Sequence, residues 1–381
     1  MPEAGYDVVM LTSAHPATDD RIFYREAKTL AEAGLTVSVV GRHPRQEIFD
    51  GIAIYSLPSA QSWRKRILLS WTVLKIAVRL RGRLYIFHDP ELFGIGLVLR
   101  LLGKRVVYDS HENLPKQVLQ KDYLPRPIRY LISPGAYVAE FIGARLLSGV
   151  IAAIPVTQTR FPRGRTVLVR NFPTTSALKV LGGGPDVWSR ANVAIYAGGL
   201  SRIRGIGELV KAFEGLEGAE LWLVGKFEDP EFESEILATL PKNVKWFGWK
   251  PFPEVLKLYN SAKIGMLPHY PMPNHRNSVP VKLFEYLGAG LPVVVSNFPE
   301  FSTFMEGCGL QVDPHSAEEI RAAVRALFSD PAKLSTMSAL ARGRVRTALS
   351  WEPEGIRLVQ FCCRLVAESY PAATRRQHAQ G

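Results

Sequence analysis

Short apolar runs alternate along the chain with stretches in which apolar residues recur at helical spacing. In the first half, strands are predicted at Tyr6–Leu11, Thr36–Gly41, Leu84–Phe87, Arg105–Tyr108 and Val150–Ile154. Between them, Ile22–Ala33 and Leu92–Leu102 have the periodicity of helices, and Gly34 ends the first of these. Alternating strands and helices with short connections are typical of a doubly wound parallel sheet.

The same alternation restarts after Leu181-Gly182-Gly183-Gly184-Pro185, a sequence typical of interdomain linkers. Strands are predicted at Val193–Ala197, Glu220–Val224, Val244–Phe247, Ile264–Leu267 and Val293–Ser296, with helices at Gly207–Phe213, Lys282–Leu287 and Glu318–Leu327. A chain of 381 residues is long enough for two such cores. We therefore predict an α/β protein with two Rossmann-like, doubly wound parallel-sheet domains that face each other across a cleft.

The predicted domains cover residues 1–180 and 186–350, and a helix at 351–370 is expected to pack back on the first domain. Ligands of open parallel sheets bind beyond the carboxyl ends of the strands, so the chemistry is sought there. The three cysteines have neither metal spacing nor an even count, which favours a reducing compartment without disulfides or zinc. The first apolar run reads as a core strand and no apolar run is long enough to span a bilayer, so a cytoplasmic protein is expected.

The positive charge is concentrated in the first half. Residues 1–180 hold 25 Lys and Arg against 14 Asp and Glu, whereas residues 181–381 hold 22 against 21. On a helix at Gln61–Arg81, four cations gather on one arc beside a broad apolar arc, and the residues expected to contact a membrane are Trp63, Arg64, Lys65, Lys75 and Arg79. The alternative is a core helix with a solvated basic face. The one-sided charge favours peripheral binding to the anionic inner face of a membrane.

The segment 277–295 carries the strongest chemical pattern. Ser278 and Pro280 form a good helix start, whose free amides and dipole favour a diphosphate, and Lys282 adds a positive charge. Glu285 lies three residues after Lys282 on the same helix face, where a carboxylate can accept both hydroxyls of a ribose. A capped helix with a local ion pair is the structural alternative.

This segment resembles the signature of the retaining GT-B glycosyltransferases of family 4, in its branch with Asn-x-x-Pro-x-Lys-x-x-Glu-Tyr. The resemblance implies that Glu285 holds the donor ribose and that Asn277 replaces the first of two glutamates beside the transferred sugar. It also includes Ser278 and Val281 in the donor site. Asn277 keeps hydrogen-bonding capacity toward the sugar but lacks the negative charge of the usual glutamate.

Three stretches of the first half are similar to the same branch. His15, Asp20 and Arg21 fall in the first strand–loop–helix segment, which lacks the usual glycine pair, and are expected to line the acceptor side of the cleft. His88 and His111 follow two later strands. The resemblance places His111 beside the transferred sugar as a catalytic residue, with a purely structural histidine as the alternative. His88 is expected either to line the cleft or merely to end a strand.

The loop after Val193–Ala197 is the second phosphate candidate. Family members place one Arg in this glycine turn and a second cation before the next Gly; Arg204 matches the second, whereas Gly199 stands at the first. Arg202 is a candidate substitute for the missing cation. Lys226 and Trp249 follow later strands and are further candidates for donor contacts.

The resemblance implies a retaining, metal-independent transferase that uses a nucleotide-sugar as substrate and no cofactor. UDP is the first choice of nucleotide and GDP the second, with a hexosyl or N-acetylhexosaminyl group passing to a lipid-linked or other glycan acceptor in envelope polysaccharide or glycolipid synthesis. A nucleotide-sugar epimerase of the same shape, or a transferase with a soluble acceptor, stays open. Nucleic-acid binding lacks any known module here, and a nicotinamide dehydrogenase lacks Gly-x-Gly-x-x-Gly after the first strand.

Overall fold

A computed structural model of the protein describes residues 5–58, 63–110, 126–272 and 279–369, together with Leu119. The chain forms two compact units. The first unit comprises Met1–Asn171 and Trp351–Gly381, and the second comprises Phe172–Ser350. Each unit is built on its own sheet, with helices on both faces.

The sheet of the first unit has eight strands in the order β3-β4-β2-β1-β5-β6-β7-β8. They are β1 (Val8–Pro16), β2 (Val37–Arg42), β3 (Glu47–Phe49), β4 (Ile52–Leu57), β5 (Leu84–Phe87), β6 (Arg105–Ser110), β7 (Gly149–Ala152) and β8 (Thr166–Leu168). The edge strand β3 is antiparallel to β4, and the other pairs are parallel.

The sheet of the second unit has six parallel strands in the order β11-β10-β9-β12-β13-β14. They are β9 (Val193–Ala197), β10 (Glu220–Val224), β11 (Val244–Trp246), β12 (Ile264–Leu267), β13 (Val293–Ser296) and β14 (Gly309–Val312). The order changes direction at β9, between β10 and β12. In an open parallel sheet, such a switch point leaves a crevice at the carboxyl ends of the strands.

The helices of the described residues, in chain order, are α1 (Lys28–Glu32), α2 (Trp63–Leu80), α3 (Phe93–Leu101), α4 (Arg126–Leu146), α5 (Pro155–Gln158), α6 (Thr175–Gly182), α7 (Ile206–Phe213), α8 (Pro230–Ala238), α9 (Phe252–Ser261), α10 (Val281–Gly288), α11 (Pro299–Met305), α12 (Ala317–Phe328), α13 (Pro331–Ala348) and α14 (Trp351–Ala367). In the first unit, α2, α3 and α4 cover one face of the sheet. The final helix α14 packs on the opposite face with α1.

The predicted two-sheet α/β fold is confirmed, and the differences are local. The helix expected at Ile22–Ala33 begins as a π-helix over Asp20–Ala27 and only then becomes α1. Asp19 caps the π-helix, since its side chain accepts hydrogen bonds from the backbone N–H groups of Arg21 and Ile22. π-Helical turns are rare and often mark functional segments.

The chain enters the second unit after Asn171, earlier than the glycine-rich linker predicted at 181–185. The reason is packing. The rings of Phe172 and Phe284 lie 4.8 Å apart, and Leu181 is fully buried in the core of the second unit. The segment before the glycines is therefore helix α6 of the second unit, and the boundary at residue 180 moves accordingly.

Candidate functional site

Two glycine turns meet where β9 and β10 end in the second unit. The N–H of Gly198 donates to the carbonyl of Val224 at 2.8 Å, and Gly225 has a φ of 142°. A Cβ atom on Gly225 would lie 1.7 Å from the carbonyl oxygen of Gly198. Only glycine permits this approach, which leaves the turn after β9 bare of side chains on that side.

The side chain of Lys282 lies against the turn after β9. A Cβ atom on Gly198 would lie 2.5 Å from Lys282 Cε and 3.0 Å from its Nζ. Burial lowers the pKa of this ammonium, Glu285 opposes that shift, and Arg204 adds to it. A partly desolvated cation at the start of α10, where backbone amides are free, favours an anionic ligand.

Arg204 lies on the same edge of the sheet. Its Nη1 donates to the carbonyl of Gly199 at 3.0 Å, and its Nη2 lies 3.1 Å from Oε1 of Glu228. A Cβ atom on Gly199 would meet both groups, at 2.6 Å and 2.2 Å. The Arg204–Glu228 pair therefore fills the space into which a side chain at position 199 would extend.

Arg202 points away from this edge. Its guanidinium pairs with Glu235 at 2.5 Å and lies over the ring of Phe232, 4.6 Å from the ring centroid. The turn that separates the two arginines needs Gly205, which has a φ of 68° and whose Cβ would lie 2.0 Å from the carbonyl oxygen of Pro268. Arg204, rather than Arg202, is therefore beside the glycine turn.

Glu285 is buried on α10 and is held by a neighbouring helix. Its Oε2 accepts a hydrogen bond from the hydroxyl of Tyr259 at 3.1 Å. The next residue, Tyr286, accepts at its hydroxyl from the backbone N–H of Ala197 at 3.0 Å, which ties α10 to the end of β9. Burial, followed by the charge of Glu285, raises the pKa of Tyr259 well above its usual value, so its phenol stays a donor.

The other donor candidates are dispersed. Lys226 and Trp249 are exposed after β10 and β11, with Trp249 64% accessible. Val281 is the first residue of α10 and is partly buried. Asn277 and Ser278 lie outside the described residues.

In the first unit, the Asp89 carboxylate holds the carboxyl-terminal part of β1. Its Oδ2 accepts hydrogen bonds from the hydroxyl of Thr12 at 2.7 Å and from the backbone N–H groups of Ser13 and Ala14 at 2.6 and 3.1 Å. His15 Nε2 lies 3.4 Å from Oδ1 of the same carboxylate. Burial alone would raise the pKa of Asp89, but His15 and these donors outweigh it and lower the pKa. His15 is thus fixed at the end of β1, half exposed.

Arg21 and His88 are buried within the first unit. Arg21 binds Asp109 through Nε at 3.0 Å and Nη2 at 2.8 Å, and its Nη2 also lies 2.9 Å from Glu26. His88 is fully buried, with Nδ1 2.9 Å from Asp109 Oδ2. The Arg21 guanidinium is thus the counter-ion of two buried carboxylates, and His88 lies against one of them. The acceptor-side role of both residues stays a prediction.

Glu26, His88 and Asp109 also form a candidate metal group within the described residues, with ligand atoms within 4.8 Å of one another. The Arg21 guanidinium already binds both carboxylates there. This donor set therefore does not fit a metal, since a second cation would be repelled by Arg21.

The remaining predicted residues have mixed outcomes. Asp20 is exposed and pairs with Arg25 at 2.7 Å, and His111 lies outside the described residues. On α2, Lys75 and Arg79 are exposed, whereas Trp63, Arg64 and Lys65 belong to the helix but have side chains outside the described set. None of the helices in the described part of the chain is long and apolar enough to cross a membrane.

Sequence reasoning missed Tyr259, Asp89 and Asp109. Asp109 directly follows an apolar strand run and Asp89 follows another after His88, positions that mark strand ends. Tyr259 gives no such signal, because its partner is 26 positions away on another helix.

Comparison with known proteins gives a family match in the second unit and a fold match over nearly the whole chain. Residues 191–330 match the family model of glycosyl transferases group 1, a range that contains Arg204, Lys282 and Glu285. No curated protein matches the chain significantly.

Among solved structures, sucrose-phosphate synthase from Thermosynechococcus elongatus is 19% identical, with a TM-score of 0.76 over 95% of this chain and 99% of that one. Anabaena HepE in complex with UDP is 15% identical, with a TM-score of 0.68 over 95% and 100%. WaaG, a glycosyltransferase involved in lipopolysaccharide biosynthesis, is 16% identical, with a TM-score of 0.67 over 92% and 99%. At these identities the likeness shows the fold, that of two-domain GT-B glycosyltransferases.

Proposed function

We propose that the protein is a retaining glycosyltransferase that moves a hexosyl or N-acetylhexosaminyl group from a nucleotide-sugar, UDP-linked first and GDP-linked second, to a lipid-linked or other glycan acceptor. The second unit binds the donor and the first unit the acceptor. The observation that carries the proposal is the Lys282 ammonium held against the bare turn at Gly198, with Arg204 and Glu285 on the same edge. The family match over residues 191–330 supports the same assignment.

In this proposal each donor group has a matching residue. Lys282 and the free amides at the start of α10 neutralise the diphosphate, and Arg204 exchanges part of its contact with Glu228 for phosphate oxygens. Glu285 accepts the ribose hydroxyls while Tyr259 fixes its other side. Departure of the sugar leaves negative charge on the diphosphate, so cations placed there stabilise the transition state without a metal.

Nucleotide binding tests the donor site. We expect Glu285→Ala and Arg204→Ala each to lose about 1.5–3 kcal/mol, roughly ten- to a hundredfold in affinity for the preferred nucleoside diphosphate. Arg202→Ala is the matched control, since Arg202 is turned toward Glu235, and it should bind as the wild type does. A thermal-shift panel of UDP-, GDP-, ADP- and dTDP-sugars identifies the nucleotide. Wild-type affinity in both site variants would remove the donor assignment.

Sugar transfer tests the catalytic assignments carried by the resemblance. We expect His111→Ala to keep most nucleotide affinity and lose most transfer, and Asn277→Ala to weaken contacts with the sugar. Product analysis by NMR establishes whether the anomeric configuration is retained. An epimerase, the second candidate, would change the sugar nucleotide with no acceptor present, and such a product would replace this proposal.

The proposal includes peripheral binding to an anionic membrane through the helical face of the first unit formed by α2, α3 and α4. On this face Leu101 is 87% accessible, Tyr130 71% and Trp71 65%. Large exposed apolar side chains in such number are typical of an interaction surface. Lys75 and Arg79 are exposed on α2. The only acidic residue of the three helices is Glu140, which is buried and paired with Arg160.

The surface thus combines apolar side chains with cations and presents no exposed acid from its three helices. An anionic leaflet contributes about 1 kcal/mol per nearby basic residue, and insertion of Trp71 and Leu101 adds apolar burial. Such binding would hold the enzyme beside a lipid-linked acceptor at the cytoplasmic face of the membrane.

Co-sedimentation with phosphatidylglycerol vesicles tests the membrane part. Binding should weaken with salt, be poor on phosphatidylcholine, and drop in Lys75→Ser/Arg79→Ser and in Leu101→Ser. Arg344→Ser in the second unit is the control and should bind normally. Absence of binding to both vesicle types would favour a soluble acceptor and leave the donor site untouched.

A further inference from the structure

Arg190 is a buried cation in the second unit, and its hydrogen bonds to the described residues all go to backbone carbonyls. It follows a turn at Val187–Ser189 and is 6% exposed. Its Nη1 donates to the carbonyls of Tyr259 at 3.3 Å and Ala262 at 3.1 Å, and its Nη2 donates to that of Ala289 at 3.0 Å. The Nε and Nη2 atoms also donate to the carbonyl of Pro185, at 3.1 and 2.9 Å.

These carbonyls belong to the carboxyl ends of two helices. Tyr259 and Ala262 lie in the last turn and at the cap of α9, and Ala289 is the cap of α10. The last carbonyls of a helix lack partners within the helix and carry the negative end of its dipole. Burial, followed by the charge of Arg342, lowers the pKa of Arg190 to about 10, so it is still a cation at neutral pH.

The two helices that Arg190 joins also carry the Tyr259–Glu285 hydrogen bond. Nη1 binds the backbone of Tyr259 itself. Nη2 binds the carbonyl of Ala289, whose own N–H donates to the carbonyl of Glu285 at 3.0 Å. One planar guanidinium thus fixes the spacing of the backbone segments that present the phenol and the carboxylate to each other. A lysine, with a single nitrogen, lacks the fork to bridge them.

We propose that Arg190 is a positioning residue for ribose recognition: by clamping the carboxyl ends of α9 and α10 it holds Tyr259 against Glu285 and so aims the carboxylate at the ribose hydroxyls. The inference rests on the proposed donor role of Glu285. In this proposal Arg190 does not touch the ligand and acts only by setting the orientation of Glu285, which does.

The test measures the preference for ribose over deoxyribose, a ratio that a merely stabilising residue does not change. Affinities for UDP and 2′-deoxy-UDP, and for GDP and 2′-deoxy-GDP, are measured by calorimetry below the unfolding range of each variant. The wild type should prefer the ribose form by about tenfold or more, as expected for one hydrogen bond to a carboxylate. Arg190→Lys, which keeps the charge, should reduce the preference to within about twofold.

Arg342→Lys is the matched control, because Arg342 reaches the carbonyl of Pro185 at 3.5 Å as its only hydrogen-bond acceptor among the described residues. It should keep the wild-type ratio. Tyr259→Phe removes the hydroxyl that Arg190 positions and should lower the ratio as well. If Arg190→Lys does not fold, Tyr259→Phe takes its place as the variant whose ratio can overturn the inference. A wild-type ratio retained in folded Arg190→Lys, or in Tyr259→Phe, overturns the inference alone. A ratio near one in the wild type overturns the ribose role of Glu285 and the inference with it.

Discussion

Removing the charge of Arg21 should destabilise the first unit more than any surface substitution, because its partners stay buried. Arg21 is the counter-ion of Asp109 and Glu26, both carboxylates fully buried, and it also donates to the carbonyl of Val169 at 3.2 Å. Burial alone would lower the pKa of Arg21, but these carboxylates outweigh burial and raise the pKa, so the guanidinium stays charged. Arg21→Met keeps most of the volume and leaves two anions without their cation.

The expected loss follows from that geometry. Breaking a buried ion pair by removing one partner costs about 3–5 kcal/mol, since the remaining charge lacks compensation. For a unit of this size, each kcal/mol lowers the melting temperature by about 2–4 °C, so a decrease of roughly 6–20 °C is expected. Faster amide hydrogen exchange in β5 and β6 should show that the lost stability belongs to the first unit.

The companion variant distinguishes charge from packing. The triple variant Arg21→Met/Glu26→Gln/Asp109→Asn removes all three charges, and we expect it to regain more than half of the lost stability, because buried pairs replaced by neutral groups are often near neutral in free energy. Arg202→Met is the control and should leave the transition unchanged, since that pair is exposed. A loss below about 1 kcal/mol for Arg21→Met, or a triple variant no more stable than the single, would refute the reasoning.

Three further outcomes are expected. The pKa of Asp89 is lowered in the folded protein, so its contribution to stability is present above the unfolded pKa near 3.9 and is lost as the pH falls through the folded pKa. The difference in unfolding free energy between wild type and Asp89→Asn should therefore be constant above about pH 5 and shrink below about pH 4. A difference that does not depend on pH would contradict this. Gly225→Ala should prevent normal folding of the second unit, measured by circular dichroism and proteolysis, because its Cβ would lie 1.7 Å from the carbonyl oxygen of Gly198; a wild-type melting curve would be inconsistent with that turn. Of the three cysteines, Cys363 should react first with a thiol reagent in the native protein, since it is partly exposed whereas Cys308 and Cys362 are buried. Cys363→Ser should abolish the fast phase, and a fast phase that persists would place another thiol at the surface.

The strands and helices of both units were predictable where the pattern is local and strong. Leu84–Phe87, Val193–Ala197 and Ile264–Leu267 have the predicted bounds, because a strand buried on both faces is a continuous apolar run. The short edge strands Glu47–Phe49 and Thr166–Leu168 escaped prediction. They are only partly buried, so their sequences carry little apolar signal.

The same distinction between local and long-range features applies to the candidate site. That Lys282 and Glu285 lie on one helix was predictable, because the helix start and the i, i+3 spacing are local properties of one segment. The environment of Arg21 was not, since Asp109 lies 88 positions away and meets it only through the order of the strands.

The sequence by itself determined the two α/β units, the glycine turns at the strand ends, and the helix that carries Lys282 and Glu285, because periodicity, turn chemistry and helix-start signals are properties of neighbouring residues. Only the tertiary structure decided that Arg21 is a buried counter-ion, that Arg204 rather than Arg202 lies beside the glycine turn, and that Arg190 joins two helix ends. Each of these outcomes depends on which distant backbone atoms the sheets bring within about 3 Å, the range of a hydrogen bond, and no local pattern encodes that distance.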